Sequence, residues 1–325
     1  MKVAVRAPGK AMLFGEYAVL DGAWGLVAAV DCHVTAWLHD GPPASPFVAY
    51  GATAAHDYLA RIGRHAPAGW PQVDSSMLYA QSSEGGGRKL GLGSSASVTV
   101  AAFGAVLHAA DVPVGEPARR HDIFLACDAA HATAQGARGS GLDIAAAVWG
   151  GVLRARRHDE HIDVEQVKLP PELAVVLVDT GVAASTAERV ARYRALDRKN
   201  PAVAHLLHHL EVLAERGAFA TLSSDLIVLI DDWMRRMGEL EHLIGIEILT
   251  PALHRVTAVA RELGGSAKPS GAGGGDLAVA FIPVEAVDSF KRRLGIHHLS
   301  PLKVHIEQQP QGLQALSLSD SEYYP

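Results

Sequence analysis

The sequence predicts a two-domain α+β protein, and three observations carry that expectation. Its 325 residues exceed what one simple hydrophobic core organises, which favours two domains packed together. Strand-like alternation and helical periodicity interleave along the chain, with glycine-rich loops where one element gives way to the next. Between Glu165 and Glu172, charge and the Pro170-Pro171 pair interrupt the apolar pattern, and beyond that stretch the chain becomes helical before ending in strands. The expected division is therefore residues 1–170 and 171–325.

Composition narrows the class. With 49% apolar and 20% charged residues the chain reads as a soluble globular enzyme. A net charge of −6, with Lys and Arg dispersed rather than blocked, argues against a nucleic-acid partner. Met1 leads directly into Val3-Ala4-Val5 without a basic lead-in and apolar signal core, and the low-charge stretch Leu90 to Ala110 is too weakly apolar to span a bilayer. A cytoplasmic protein without a membrane partner is expected. Cys32 and Cys127 lack CxxC spacing and sit among apolar residues, as buried free thiols do. His205, His208 and His209 share a helical face, but no acidic or Cys ligand joins them at zinc-site spacing, so no metal centre is expected there.

In the first half, residues 2–7 alternate as a strand. Ala7-Pro8-Gly9-Lys10 breaks it, which puts Lys10 at a strand end, ahead of the apolar Ala11-Met12-Leu13-Phe14 and a turn at Gly15-Glu16-Tyr17. A strand pair is expected across Gly25 to Trp37, a loop at Gly41-Pro42-Pro43 and a helix over about Thr53 to Ile62. Val73 to Gln81 reads as a strand, and the glycine-rich Ser82 to Arg88 as a mobile lead-in to Lys89-Leu90-Gly91-Leu92-Gly93-Ser94-Ser95-Ala96-Ser97. That stretch opens a small-residue apolar run to Ala110, long enough for a buried helix. Glu116-Pro117 starts a helix to about Gln135, with Ile123, Phe124 and Cys127 facing inward. It delivers the chain to Gly136-Ala137-Arg138-Gly139-Ser140-Gly141-Leu142-Asp143, followed by apolar Ile144 to Val148, a turn at Trp149-Gly150-Gly151 and a strand from Val152 to Arg154.

In the second half, Leu173 to Val178 is a strongly apolar strand, and Ser185-Thr186-Ala187-Glu188 has capping-box spacing ahead of Val190 and Tyr193. Asn200-Pro201 opens a helix closed by Gly217, and Thr250-Pro251 one closed by Gly264. Lys268-Pro269-Ser270-Gly271-Ala272-Gly273-Gly274-Gly275-Asp276 joins the latter to a strand from Leu277 to Phe281. Glycine at that density costs backbone entropy and belongs where a backbone approaches a ligand or another loop. A helix near Glu285 to Leu294 and strands at Leu302 to Glu307 and Gly312 to Leu318 complete the half.

The loop ahead of Ser94 is a candidate anion site. The first N–H groups of a helix lack intrahelical partners and lie at the positive end of its dipole, and Gly91 and Gly93 allow close approach to the main chain. It is not a Walker loop, since no Lys stands between Gly93 and Ser94. By itself it also fits an ordinary turn capped by Ser94. Asp143 reads either as a carboxylate favoured at a helix start or as a catalytic group, and Lys10 either as a solvated lysine or as a site cation.

Taken in order, Pro8-Gly9-Lys10 with Gly15-Glu16-Tyr17, then Gly91 to Ala96, then Lys268 to Asp276 resemble the GHMP kinase superfamily over nearly the whole chain. Tyr17, Asp276, Lys89-Leu90, Gly139 to Ala146 and Ala184-Ser185-Thr186 look most like its phosphomevalonate kinase family, mevalonate kinases usually carrying His and Gly at the first two positions. The resemblance implies an N-terminal α/β domain with a left-handed β-α-β unit, a ferredoxin-like C-terminal domain, and ATP and acceptor in the cleft between them. It implies ATP at Lys89, Gly91, Leu92, Gly93, Ser94, Ser95 and Ala96, with Ser95 as a Mg²⁺ ligand, and Lys10 and Asp143 as the catalytic pair. The acceptor would meet Lys10, Tyr17, Arg138, Ser140, Gly141, Lys268, Ser270, Gly271, Ala272 and Gly273. Mevalonate kinases supply a second metal ligand, a Glu, where this chain has Ala132, and Asp128 is the nearest carboxylate on that helix.

Charge then selects an acceptor. A hydroxyl acceptor must lose a proton to a base as it attacks the γ-phosphoryl group, whereas a phosphate, with a second pKa of about 6, is already largely a dianion. The dominant cost is then the approach of two polyanions, and Lys10, Lys89, Arg138 and Lys268 fall in or beside the special loops, with Ser140 and Ser270 as neutral donors. ATP-dependent conversion of 5-phosphomevalonate to 5-diphosphomevalonate is expected, with Asp143 chiefly positioning Lys10, in a monomer or homodimer. Mevalonate kinase or another small-molecule kinase of the superfamily is the alternative. A non-catalytic binding protein on the same fold would be expected to have lost Lys10 or Asp143, and both stand in intact motifs.

Overall fold

A computed structural model describes residues 4–80, 87–159, 161–181, 186–275, 277–307 and 309–316. The first layer is an antiparallel sheet begun by β1 (Ala4–Phe14) and β2 (Gly25–His39). β1 does not break at Pro8-Gly9-Lys10. It passes through them with a register shift between Pro8 and Gly9, a bulge at which proline's missing N–H costs no ladder bond. Lys10 therefore sits inside a strand, and β2 is one long strand rather than a pair.

α1 (Pro46–Arg61) begins seven residues before the expected Thr53, because Ser45 Oγ accepts from Val48 N at 3.4 Å and Pro46 occupies the first helical position. The segment read as a single strand from Val73 divides into β3 (Trp70–Asp74), a 3₁₀ turn and β4 (Tyr79–Ala80), which pairs with β5 (Arg88–Lys89). Residues 81–86, most of the expected mobile lead-in, lie outside the described residues. α2 (Ser94–Ala109) is buried all round from Ala96 to Leu107, as a helix apolar on every face must be. α3 (Arg120–Gln135), α4 (Leu142–Trp149), β6 (Val152–His158) and β7 (His161–Gln166) follow, β7 being a strand that the sequence did not announce.

β8 (Leu173–Asp179) starts the second half. α5 (Thr186–Arg194) begins directly after residues 182–185, so the Ser185 half of the expected capping box lies outside the described residues. α6 (Pro201–Ala218) is capped by Asn200, which accepts from Ala202 N at 2.9 Å. α7 (Ser223–Ile244), 22 residues long, was not foreseen. Thr250 caps α8 (Pro251–Glu262), accepting from Leu253 N at 3.2 Å, and β9 (Ser266–Pro269), β10 (Leu277–Pro283), α9 (Val287–Ile296) and β11 (Ser300–Pro301) complete the unit. Its sheet order β11-β8-β10-β9 is, for four strands counted along the chain, 4-1-3-2 with helices after the first and third. That is the ferredoxin-like βαββαβ arrangement expected.

The chain then returns to the first sheet. Asp31 N donates to His305 O, Glu307 N to Ala29 O and Leu313 N to Val148 O, and β12 (Gln314–Ala315) pairs with β1. Of the two closing strands expected, one is a single bridge between Val30 and Ile306 and the other is β12. We propose the boundary near residue 170 for the two sheets, with the tail after β11 assigned to the first.

One hydrophobic core runs through both sheets, and Phe14 on β1 meets Trp233 on α7 at 4.9 Å between ring centroids. Gly217, expected to stop α6, is helical instead, and a Cβ there would come within 2.5 Å of the Phe14 ring. Two effects of Gly217→Ala oppose each other. Helix propensity favours Ala by about 1 kcal/mol, and overpacking costs about 1–3 kcal/mol. Because the obstruction is a fully buried ring, we expect net destabilisation, measured as a lower denaturation midpoint in urea. A rise would mean that Phe14 has room to shift.

Candidate active site

Lys10 is tied to the glycine loop ahead of α2. Its backbone N–H donates to Leu92 O at 2.8 Å, which fastens the loop to β1. Gly93 holds φ +76° at the start of α2, and a Cβ there would lie 2.8 Å from Lys10 Cγ, so both the backbone conformation and the lysine stem require glycine. The N-cap is Gly93 rather than the expected Ser94, and α2 carries no side-chain cap. Its first N–H groups stay available to an anion. Ser97 Oγ donates to Pro8 O at 2.7 Å, a second tie to β1. Ser95 Oγ lies 3.1 Å from Nε2 of His131 on α3.

The second loop connects α3 to α4. Gly141 caps α4 at φ +77°, and a side chain there would strike the Arg157 guanidinium. Arg157 Nη2 donates to Asp128 Oδ1 at 2.5 Å, while Arg138 Nε lies 3.5 Å from Asp128 Oδ2. Burial pushes the Asp128 carboxyl up, and the two guanidiniums oppose that push. Asp128, the carboxylate nearest the missing metal-ligand position, is thus committed to arginines. Asp143 stands in the first turn of α4, its Oδ1 accepting from Ile144 N at 3.0 Å.

The third loop is sewn to the first. Met12 N donates to Ser270 Oγ at 2.9 Å, Tyr17 Oη donates to Ala272 O at 2.6 Å, and Gly271 N donates to Glu16 Oε1 at 3.4 Å. At the centre of this seam, Lys268 Nζ donates to Glu16 Oε1 and to Pro269 O, with Lys268 0% exposed. Burial pushes the Glu16 carboxyl up and the Lys268 ammonium down, so each is held charged chiefly by the other. Tyr17, at φ +63°, is a non-glycine residue in left-handed backbone, and its phenol is pushed up by burial and stays a donor. Lys268 and Ser270 were expected to face the acceptor. Both are instead consumed in joining the two halves.

These elements enclose a cavity of about 320 Å³. Of the expected residues, Lys10, Tyr17, Arg138, Ser140, Gly141, Asp143, Gly271 and Ala272 line it. The glycine loop Gly91 to Ala96 lies beside it, joined through Lys10 and the Ser95–His131 contact. Lys89 is exposed on β5 and is absent from the cavity wall, and Gly273 packs against Ile248, to which a Cβ would approach within 2.6 Å. The sequence reading missed Glu16, His131 and Arg194, all of which line the cavity, and Arg157 behind it. Arg194 was detectable, since Ala187, Val190, Ala191 and Arg194 recur at helical spacing and all reach the wall.

Removing one partner of a buried ion pair strands the other charge, at a cost of about 3–5 kcal/mol, whereas replacing both with apolar groups is close to neutral. Lys268→Met is expected to destabilise by that amount, and Glu16→Leu with Lys268→Met to regain most of it. Chemical denaturation of the two variants and the parent measures this. Simple additivity of the single changes would deny the pair its coupling.

Residues 78–151 match the family of GHMP kinases N terminal domain, and residues 222–298 that of GHMP kinases C terminal. A phosphomevalonate kinase from a Streptomyces species is 28% identical over 347 residues, covering 86% of this chain and 90% of that protein. A mevalonate kinase from Aeropyrum pernix is 28% identical over 248 residues, covering 70% and 69%. The structure of Streptococcus pneumoniae phosphomevalonate kinase in complex with phosphomevalonate and AMPPNP aligns with a TM-score of 0.75 at 20% identity, covering 94% of this chain and 99% of that one. With both matched in order on this fold, the chain carries the N- and C-terminal domains of GHMP kinases and is a phosphotransferase.

Proposed function

We propose that the protein transfers the γ-phosphoryl group of ATP to 5-phosphomevalonate, giving 5-diphosphomevalonate. The supporting observation is the charge balance of the cavity. Among the described residues, three carboxylates on its wall, Glu16, Asp128 and Asp143, face three cations on the wall, Lys10, Arg138 and Arg194, together with Lys268 paired to Glu16 and Arg157 paired to Asp128, so the surroundings carry more positive than negative charge. Mevalonate would bring a single carboxylate to that excess, and its phosphate adds nearly two further charges at neutral pH. Val19, Leu20, Val27 and Val190 add apolar surface to the wall, which suits a short branched carbon body. The phosphomevalonate kinase relative spans more of the chain than the mevalonate kinase relative does, which supports the same choice.

In this reading the uncapped start of α2 cradles the ATP phosphates. Lys10, whose Nζ would lie 4.0 Å from a Cβ at Gly271, offsets charge between donor and acceptor as they meet. Asp143, across the cavity, orients Lys10 and the acceptor. The protein offers little for a resident divalent ion. Ser95 Oγ is engaged by His131, Asp128 by two arginines, and among the described residues no group of three or more His, Cys, Asp or Glu could hold a metal. Mg²⁺ is accordingly assigned to the nucleotide's own phosphates, where it would supply further charge neutralisation, and Ser95 would reach it only by exchanging its His131 contact for the ion.

Lys10→Met and Asp143→Asn are each expected to lower kcat at least about a hundredfold with ATP binding largely intact. Steady-state kinetics with nucleotide titration checks both, and near-normal turnover removes that residue from the mechanism. For the acceptor, ADP release is compared for 5-phosphomevalonate, mevalonate, galactose and homoserine. A preference for 5-phosphomevalonate over mevalonate of at least about a hundredfold in kcat/KM is expected, since the excess positive charge of the cavity would otherwise face a subsite without the phosphate. Comparable rates on both would overturn the charge argument. Calorimetric titration of Mg²⁺ into the nucleotide-free protein should show no binding, whereas MgATP should bind.

A further inference from the structure

The wall that α5 contributes ends in a cation with no assigned task. Ala187, Val190 and Ala191 turn one face of α5 to the cavity, and Arg194, one turn on from Val190 and Ala191, carries that face to the rim. Arg194 Nη2 donates to Arg138 O at 2.7 Å, a bond from the second half of the chain to the glycine loop of the first. Among the described residues no carboxylate pairs with the Arg194 guanidinium. Its carrier is firmly placed. Tyr193 Oη donates to Asp21 Oδ2 at 2.5 Å, Arg198 Nη1 donates to the same oxygen at 2.8 Å, and the Tyr193 ring lies 5.1 Å from that of Tyr17. Two guanidiniums from opposite sides of the cleft therefore stand together at one cavity, one joined to the other's backbone.

We infer that Arg194 is a specificity-determining residue that grips an oxyanion of the acceptor together with Arg138, so that the acceptor, rather than ATP, bridges α5 to the 136–141 loop. Arginine suits the task because its planar fork stays charged and meets carboxylate or phosphate oxygens in pairs. The exposed position is no objection, since a ligand that closes the rim removes the water that weakens such pairs in the free protein. The inference rests on the phosphorylated-acid reading for its choice of ligand. An acceptor of that kind carries two oxyanions, a carboxylate and a phosphate, and the same cavity wall presents both Lys10 and Arg194.

The test uses the full chain and the variants Arg194→Ala and Arg194→Lys. The wild-type preference between 5-phosphomevalonate and mevalonate is measured first and decides the phosphate reading by itself. Arg194 is then judged on whichever of these acids the wild type turns over better, so failure of that reading leaves this test standing. We expect Arg194→Ala to raise the acceptor KM about 10- to 100-fold, with the ATP KM and the kcat at saturating acceptor within about threefold of wild type. Arg194→Lys should recover part of the loss, and thermal melts of the free variants should match wild type, which separates a grip from a fold defect. A penalty confined to the phosphorylated acceptor identifies the phosphate as the gripped group, and an equal penalty on mevalonate identifies the carboxylate. An unchanged acceptor KM, or an ATP KM that rises in step with it, overturns the inference.

Discussion

The buried ion pair between Glu16 and Lys268 is the constraint on which the site depends. Neither group reaches solvent, so each would lose its charge to desolvation without the other close by. That requirement holds the segment after β1 against the end of β9 in one register. The surrounding bonds, Met12 N to Ser270 Oγ and Tyr17 Oη to Ala272 O, extend the same register along the seam. A pair of well-packed apolar side chains would hold the halves together as strongly but would tolerate sliding, because dispersion contacts are not directional. The cavity needs a fixed relation between Lys10 and Gly271, and directional bonds supply it.

Glycine supplies the complementary requirement, room. At Gly93 the Lys10 stem crosses where a Cβ would stand, and at Gly141 the Arg157 guanidinium does so on its way to Asp128. Both positions also hold positive φ and both begin a helix without a side-chain cap. A Ser or Asp cap would stabilise either helix by about 1 kcal/mol. Its absence leaves two helix starts whose N–H groups can be satisfied by a ligand, at some cost to the free protein.

Legibility followed locality. The helix starts at Asn200-Pro201 and Thr250-Pro251, the three glycine loops and the buried α2 were readable because the signal and its consequence lie within a few residues. Pro8-Gly9 misled because the same residues that end a strand also build a bulge, and only the partner strand distinguishes the two. α7 went unread although its buried residues Leu226, Leu229, Ile230, Trp233, Met237 and Leu240 follow helical spacing. The return of the tail to β1 was beyond reach, since that pairing joins residues about three hundred positions apart.

The cations show most clearly what a sequence leaves undetermined. Lys10, Lys89, Arg138 and Lys268 were equivalent as positive charges beside glycine loops, and the fold divides them by burial. Lys268 enters the interior and must find a carboxylate there, so its charge is spent on Glu16. Lys89 stays on an exposed strand, where water screens it. Lys10 and Arg138 remain on the cavity wall, and Arg194 joins them from a helix that carries no glycine motif at all. A cation can contribute to recognition only where the fold brings it to the cavity wall. Loop motifs report proximity to the cleft, whereas that placement is a property of the assembled fold.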